Sequence, residues 1–197
     1  MKNKEKGSFL YKVAIARKVN AVISLVCTFL IVVHTGYDAI WMFMRGKLPN
    51  LPKPMAFVLL GLVVIHTVLS IVTAILGSKG KTKKDEKMYA QPNKETLLQR
   101  IFGILIVLMM PLHILGMQNH LNPKILHSIL HPLLFFVVCA HTGISFNKAL
   151  ITLGIGNAKL IKVLGIVSRV VCILLFIASC VGLYFVMYGK WLGWEKL

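Results

Sequence analysis

Five stretches of this 197-residue chain are long and apolar enough to cross a lipid bilayer, and this bounds every other reading of it. A bilayer core takes roughly 20 apolar residues of helix. The runs at about 19–44, 55–77, 97–117, 125–146 and 164–188 meet that length, in a chain that is 57% hydrophobic. Backbone groups in hydrocarbon must be hydrogen-bonded within the protein, which leaves helices as the natural form of such spans. The expected fold class is therefore all-α. It is an integral membrane bundle of five transmembrane helices in a single domain, with its core between helices.

Charge then orients the bundle. The formal net charge is +17, a value that in a soluble chain points to nucleic acid. Here Lys and Arg concentrate in Met1–Lys18, Lys79–Arg100 and Lys148–Arg169, while the loops around Arg45–Lys53 and Gln118–Lys124 carry few. That alternation is the positive-inside pattern. The basic residues thus record topology, the partner is the lipid bilayer, and no nucleic acid is implied. The expected place is the cell (inner or cytoplasmic) membrane, multi-pass, with a cytoplasmic N-terminus and an outside C-terminus. The loop 78–96, with GSKGKTKKDEK at its heart, becomes a solvated cytoplasmic segment. Trp41 and Phe43, and later Trp191 and Trp194, fit interfacial aromatic belts.

Around the first span, the apolar run is too long for a cleaved signal peptide and reads as a retained helix. Ser8–Ala16 reads as an interfacial helix ahead of it. Pro49, Pro52 and Pro54 make a stiff connection to the second span. Cys27, Cys139, Cys172 and Cys180 all fall in apolar segments and form no CxxC or CxxCH. They read as small buried residues, which removes covalent haem attachment and thioredoxin-like chemistry.

Into this apolar frame are set four histidines, one on each of the first four spans: His34, His66, His113 and His141. An ionisable side chain at that depth is costly and marks a functional site by default. With about 1.5 Å of rise per helical residue, His34 and His113 both fall in the outer half of the membrane. His66 lies near mid-membrane, and His141 about 10 Å short of Lys148, so these two meet at a deeper level. Two pairs of imidazoles at two depths are what two stacked b-type haems require, each held by bis-His ligation with no open iron position. Interhelical hydrogen bonding in a haem-free bundle is the plainer use of such histidines. Four on four helices, paired by depth, favour haem.

Several nearby residues leave alternatives open. Gly103, ten residues before His113, makes room for a flat porphyrin, although glycine is common in membrane helices. Thr35, Thr67 and Thr142 each follow a candidate ligand, either to orient it or to bond back to their own helices. His127 and His131 lie one turn apart near the outer end of the fourth span, and His120 in the adjoining loop. Either His127 or His131 replaces a ligand of the outer haem, or the three are interfacial, meeting propionates, a quinone headgroup or water. Asp38 is a carboxylate inside a span, one turn outward of His34. It either passes protons to a quinone beside the outer haem or is a hydrated acid near a helix end. Arg100 either pairs with an inner-haem propionate or anchors the third span.

In layout the chain resembles the dihaem cytochrome b membrane-anchor subunits of the succinate:quinone oxidoreductases and quinol:fumarate reductases. The stretch Gln99-Arg100-Ile101-Phe102-Gly103 through Pro111-Leu112-His113-Ile114 is similar to that family's third ligand helix, and the fifth span lacks a histidine, as theirs does. The resemblance implies that His34 with His113 hold the outer haem and His66 with His141 the inner one, within the first four helices. It also implies a quinone, menaquinone or ubiquinone, near the outer haem. Flavoprotein and iron–sulfur subunits would dock on the cytoplasmic side. The proline-rich first loop, the extra outer histidines and the short His113–His141 interval depart from that pattern.

The functional expectation is an electron-transfer subunit of a fumarate reductase or succinate dehydrogenase type complex. No nucleophile–base pair, phosphate loop or flavin motif suggests substrate chemistry of its own. The His127/His141 spacing is also similar to cytochrome b subunits serving formate dehydrogenase, hydrogenase or an extracytoplasmic reductase. A haem-free transporter is the remaining alternative.

Overall fold

A computed structural model of the chain describes residues 2–44, 53–79, 94–117 and 129–188. They form five helices: α1 Lys2–Phe43, α2 Lys53–Lys79, α3 Lys94–Met117, α4 His131–Thr152 and α5 Ala158–Tyr188. Each contains a stretch long and apolar enough to cross a membrane. Large side chains such as Phe29, Phe57 and Leu108 are more than 60% exposed, as expected of a surface whose solvent is lipid. The all-α, five-helix membrane fold is thus the one the hydropathy pattern requires.

Two boundaries differ from the sequence reading. α1 runs unbroken from Lys2, so Ser8–Ala16 continues the first membrane helix instead of lying as a separate one. Its 42 residues span about 60 Å at helical rise, twice the bilayer core. The last two helices also approach each other more closely than the apolar runs suggest. α4 continues to Thr152 and α5 starts at Ala158, because both ends are capped. Gly154 takes φ 88°, its N–H reaches Ile151 O (3.0 Å), and Ile155 N–H reaches Leu150 O (3.2 Å). This is the paired bonding of a Schellman stop, which needs glycine at its left-handed position. Three residues later the Asn157 carboxamide oxygen accepts the Leu160 N–H at 3.0 Å and opens α5.

Packing runs in the order α2–α1–α4–α3, with α5 seated against both α1 and α4. Small residues bring α5 close. A Cβ on Gly182 would lie 3.1 Å from Met42 Cβ and 3.5 Å from the Ala39 carbonyl of α1. Phe43 and Phe185 meet near it in a tilted ring contact, with centroids 5.7 Å apart and planes inclined by 60°. On the α4 side, Gly165 lies directly under the Asn147 carboxamide, and the Cys139 and Cys172 thiols are neighbours across the seam. α3 meets α4 through Met109, Leu134 and Val137, with Phe102, Ile106 and Val138 packed around them. α2 meets α1 through Asn20 Nδ2, which donates to Ser70 Oγ at 2.9 Å.

Candidate functional site

The repeated triplet His-Thr-Gly has one geometric meaning at both of its occurrences. In a helix of 3.6 residues per turn, residues two apart point about 200° away from each other. Gly36 faces Leu175 of α5, and Gly143 faces the Cα and Cγ of Arg169 on α5. Their partners His34 and His141 therefore project from the opposite faces of α1 and α4, away from α5 and toward the side where α2 and α3 flank them.

His141 is the best-defined of the four. Its Nδ1 lies 3.0 Å from the Gln99 carbonyl oxygen of α3. A carbonyl only accepts, so the ring proton sits on Nδ1 and the lone pair is left on Nε2. Gly103, one turn further along α3, lets the ring approach: a Cβ there would lie 3.3 Å from His141 Cε1. The glycine's observed neighbour is thus the His141 imidazole on α4. Gln99 is held in turn, because Lys148 Nζ donates to its Oε1 (2.8 Å) and to Thr96 Oγ1 (2.9 Å). Arg100 is exposed at this basic end, within electrostatic range of Lys148. Arg169 approaches Glu95 at 4.0 Å between half-exposed side chains, a pair worth little in such surroundings.

His66 stands within electrostatic range of His141. Its Nδ1 is buried without a hydrogen-bond partner among the described residues, as is Asn20 Oδ1 on α1. Thr67 does not orient it: the hydroxyl donates back to Val63 O at 2.8 Å. Toward the other end, His113 stands within electrostatic range of His34. His34 Nε2 approaches Asp38 Oδ2 at 3.4 Å, and its Nδ1 is buried without a partner among the described residues. His113 Nδ1 lies 3.1 Å from His131 Nε2, with ring centroids 5.0 Å apart. His131 is 6% exposed, a buried neighbour of His113. His120 and His127 lie outside the described residues, as do Trp191, Trp194 and most of the basic loop.

The two levels are evenly spaced on both sides. Along α3–α4, the Gly103–His141 and His113–His131 contacts are ten residues apart on each helix, about 15 Å of rise. Along α1–α2, the Asn20–Ser70 contact sets His66 level with Ser24, ten residues below His34. The apolar cluster of Met109, Leu134 and Val137 fills the interval between levels.

This donor set suits a cofactor that brings most of its own ligands. No group of three or more His, Cys, Asp or Glu able to hold a bare metal ion occurs among the described residues. Four imidazoles on four helices, at two levels, would suit a porphyrin, which supplies four nitrogens and leaves two axial positions. His141, with its proton fixed on Nδ1 by a carbonyl, has the usual form of an oriented imidazole ligand. The unpartnered Nδ1 atoms of His34 and His66 mark polar groups for which burial is otherwise a cost. Sequence reasoning had no means of finding the Gln99 carbonyl, since a backbone acceptor leaves no residue-type signal. The Lys148 contact was similarly hidden, in a residue that reads as an ordinary positive anchor. No family model, curated protein or solved structure matches this chain.

Proposed function

We propose that this protein is a membrane cytochrome b. In this reading it carries electrons through two bis-His b haems between a quinone pool and a partner reductase or dehydrogenase, as in fumarate reductase or succinate dehydrogenase complexes. The observation that carries the proposal is the His141 arrangement, repeated in outline at a second level. An imidazole is tied through Nδ1, its Nε2 lone pair is left over, and a second histidine, His66, stands within electrostatic range on a helix two removed. Bis-His haem supplies one-electron carriage without an open coordination position.

The chain's own residues then divide the remaining work. His66 and His141 hold the haem nearer the basic end, and His34 and His113 hold the other. Asp38, 3.4 Å from His34 Nε2, would help to orient the His34 ring beside the haem it would hold. Asp38 is placed to hold a proton for a quinone, menaquinone or ubiquinone, arriving beside the second pair. Arg100 supplies a cation for a propionate. The positive-inside charges put the N-terminus and the basic loop in the cytoplasm and the C-terminus outside the cell membrane. Flavoprotein and iron–sulfur subunits would meet the basic face, where opposite charge steers docking.

Purified protein from haem-replete cells is expected to show b-type α and Soret bands in the dithionite-reduced minus oxidised spectrum, at about two haems per chain by this ligand count. A protein that purifies folded and colourless from such cells overturns the proposal. A more local check lies at Gly103. A Gly103→Val side chain would push the His141 ring off the Gln99 carbonyl, so one haem should be retained and the other lost. Gly103→Ala needs the ring to give by only a few tenths of an ångström, and both haems should stay. Equal haem content in the valine variant would separate Gly103 from the site.

A further inference from the structure

His113 and His131 form the one imidazole–imidazole hydrogen bond among the described residues, and the haem reading leaves His131 without a task. The bond joins α3 to α4 at 3.1 Å between His113 Nδ1 and His131 Nε2. The rings are inclined by 58°, and Phe135 lies against the far side of His131 with centroids 5.9 Å apart. His131 opens α4, directly ahead of Pro132, a residue suited to the first turn because it has no N–H to offer. A π turn at 129–130 leads into His131, and its ring is buried. That combination fixes the position of Nε2 and, through it, the orientation of the His113 ring.

We propose that His131 is a positioning residue for His113, the acceptor that receives the His113 Nδ1 proton and thereby presents His113 Nε2 to iron. The inference rests on the proposed function and assigns a role that neither the ligand set nor the quinone site requires. One imidazole must donate and the other accept. If His131 donated, His113 would carry its own proton on Nε2 and could not ligate. Ligation by His113 thus selects the tautomer in which His113 Nδ1–H donates, with the His131 proton on its own Nδ1. The deeper level uses the Gln99 carbonyl for the same purpose. The two ligands on α3 and α4 are then oriented alike, by acceptors of different chemistry, and each acceptor comes from the partner helix. An acceptor on Nδ1–H strengthens the donor power of the ligating nitrogen and so favours the ferric state.

The test uses the full-length protein with His131→Leu and His131→Gln, read by potentiometric titration and low-temperature EPR of the ferric haems. Gln keeps a side-chain acceptor and cannot ligate haem iron in place of imidazole. Wild type should show two low-spin haems. In His131→Leu one haem should rise in midpoint potential, shift its EPR signal and be retained roughly 10–100-fold less tightly. The other haem should be unchanged, serving as the control for folding. His131→Gln should restore the potential and the signal toward wild type. Unchanged potentials in His131→Leu overturn the inference alone. Loss of the same haem from both variants also overturns it, because His131 would then be a ligand. A wild-type protein without haem overturns the proposed function, and this role with it.

Discussion

Replacing His141 with alanine is expected, on the proposed function, to halve the haem content, from about two per chain to about one by the ligand count, and to stop electron passage to a partner. The expectation is strong because His141 is the most constrained ligand candidate, with its proton assigned by the Gln99 carbonyl and its ring seated on Gly103. Removing an axial imidazole should cost more than the roughly 10–100-fold that loss of a supporting contact costs a metal site. His66→Ala should remove the same haem, giving the same remaining spectrum. His34→Ala and His113→Ala should each remove the other haem and leave the complementary spectrum. His127→Ala should leave both. Reduced-minus-oxidised spectra of the five purified variants decide the matter. A His127→Ala protein that loses a haem, or a His141→Ala protein that keeps two, would redraw the ligand set.

The second large effect is expected at Gly182, far from any histidine. A Gly182→Leu side chain would have to occupy space now held by Met42 Cβ and by the Ala39 carbonyl. Neither is the free end of a flexible chain, so α1 and α5 must move apart. Overpacking of this kind costs about 1–3 kcal/mol and at times more, and the close helix approach that small residues permit is lost as well. The thermal midpoint in detergent should fall by several degrees. Because α5 supports α1 on the face opposite His34, the haem proposed at His34 and His113 should be released first on heating. Gly61→Leu on α2 is the control, since a Cβ there meets nothing within 4 Å, and it should leave the midpoint nearly unchanged. Equal behaviour of the two variants would mean that the α1–α5 contact adds little to stability.

Much of the fold was legible because hydropathy over 20 or so residues is a signal that packing cannot override in lipid. Five apolar runs therefore yield five helices. The ends of those helices were less legible. α1 extends back to Lys2 because nothing in the basic N-terminal segment breaks a helix, although hydropathy alone stops at the charges. The α4–α5 turn was obscured because Lys148, Lys159 and Lys162 make the segment look like a loop. Its true limits are set by two small signals, Gly154 and Asn157.

The candidate site divides along similar lines. Depth along a helix can be read by counting, so residues can be sorted into levels. Rotation about the helix axis and contact with a neighbouring backbone cannot be read that way. Gly103 could be recognised as a gap, but nothing in α3 alone shows that the imidazole of His141 fills it. His131 lay in a cluster with His127 and His120, and only the meeting of α3 with α4 singles it out. The His-Thr-Gly repeat was visible as a pattern. Its meaning came only with α5, the element that each glycine faces.

The seating of α5 against both α1 and α4 also constrains the order in which the molecule can be made. The α1–α2 and α3–α4 pairs are neighbours in sequence and can form as soon as each pair has been synthesised. The contacts of Gly36 with Leu175 and of Ala39 with Gly182 join α1 to α5, far apart in sequence, and must wait for α5 to be made. Such long-range closures are slow steps in folding. The α1–α2 pair carries His34 and His66 and the α3–α4 pair carries His113 and His141, and the direct packing of α1 on α4, which α5 backs, brings the two halves of the set together. The fifth helix, which carries no histidine, therefore braces the α1–α4 seam across which the two halves of the histidine set meet.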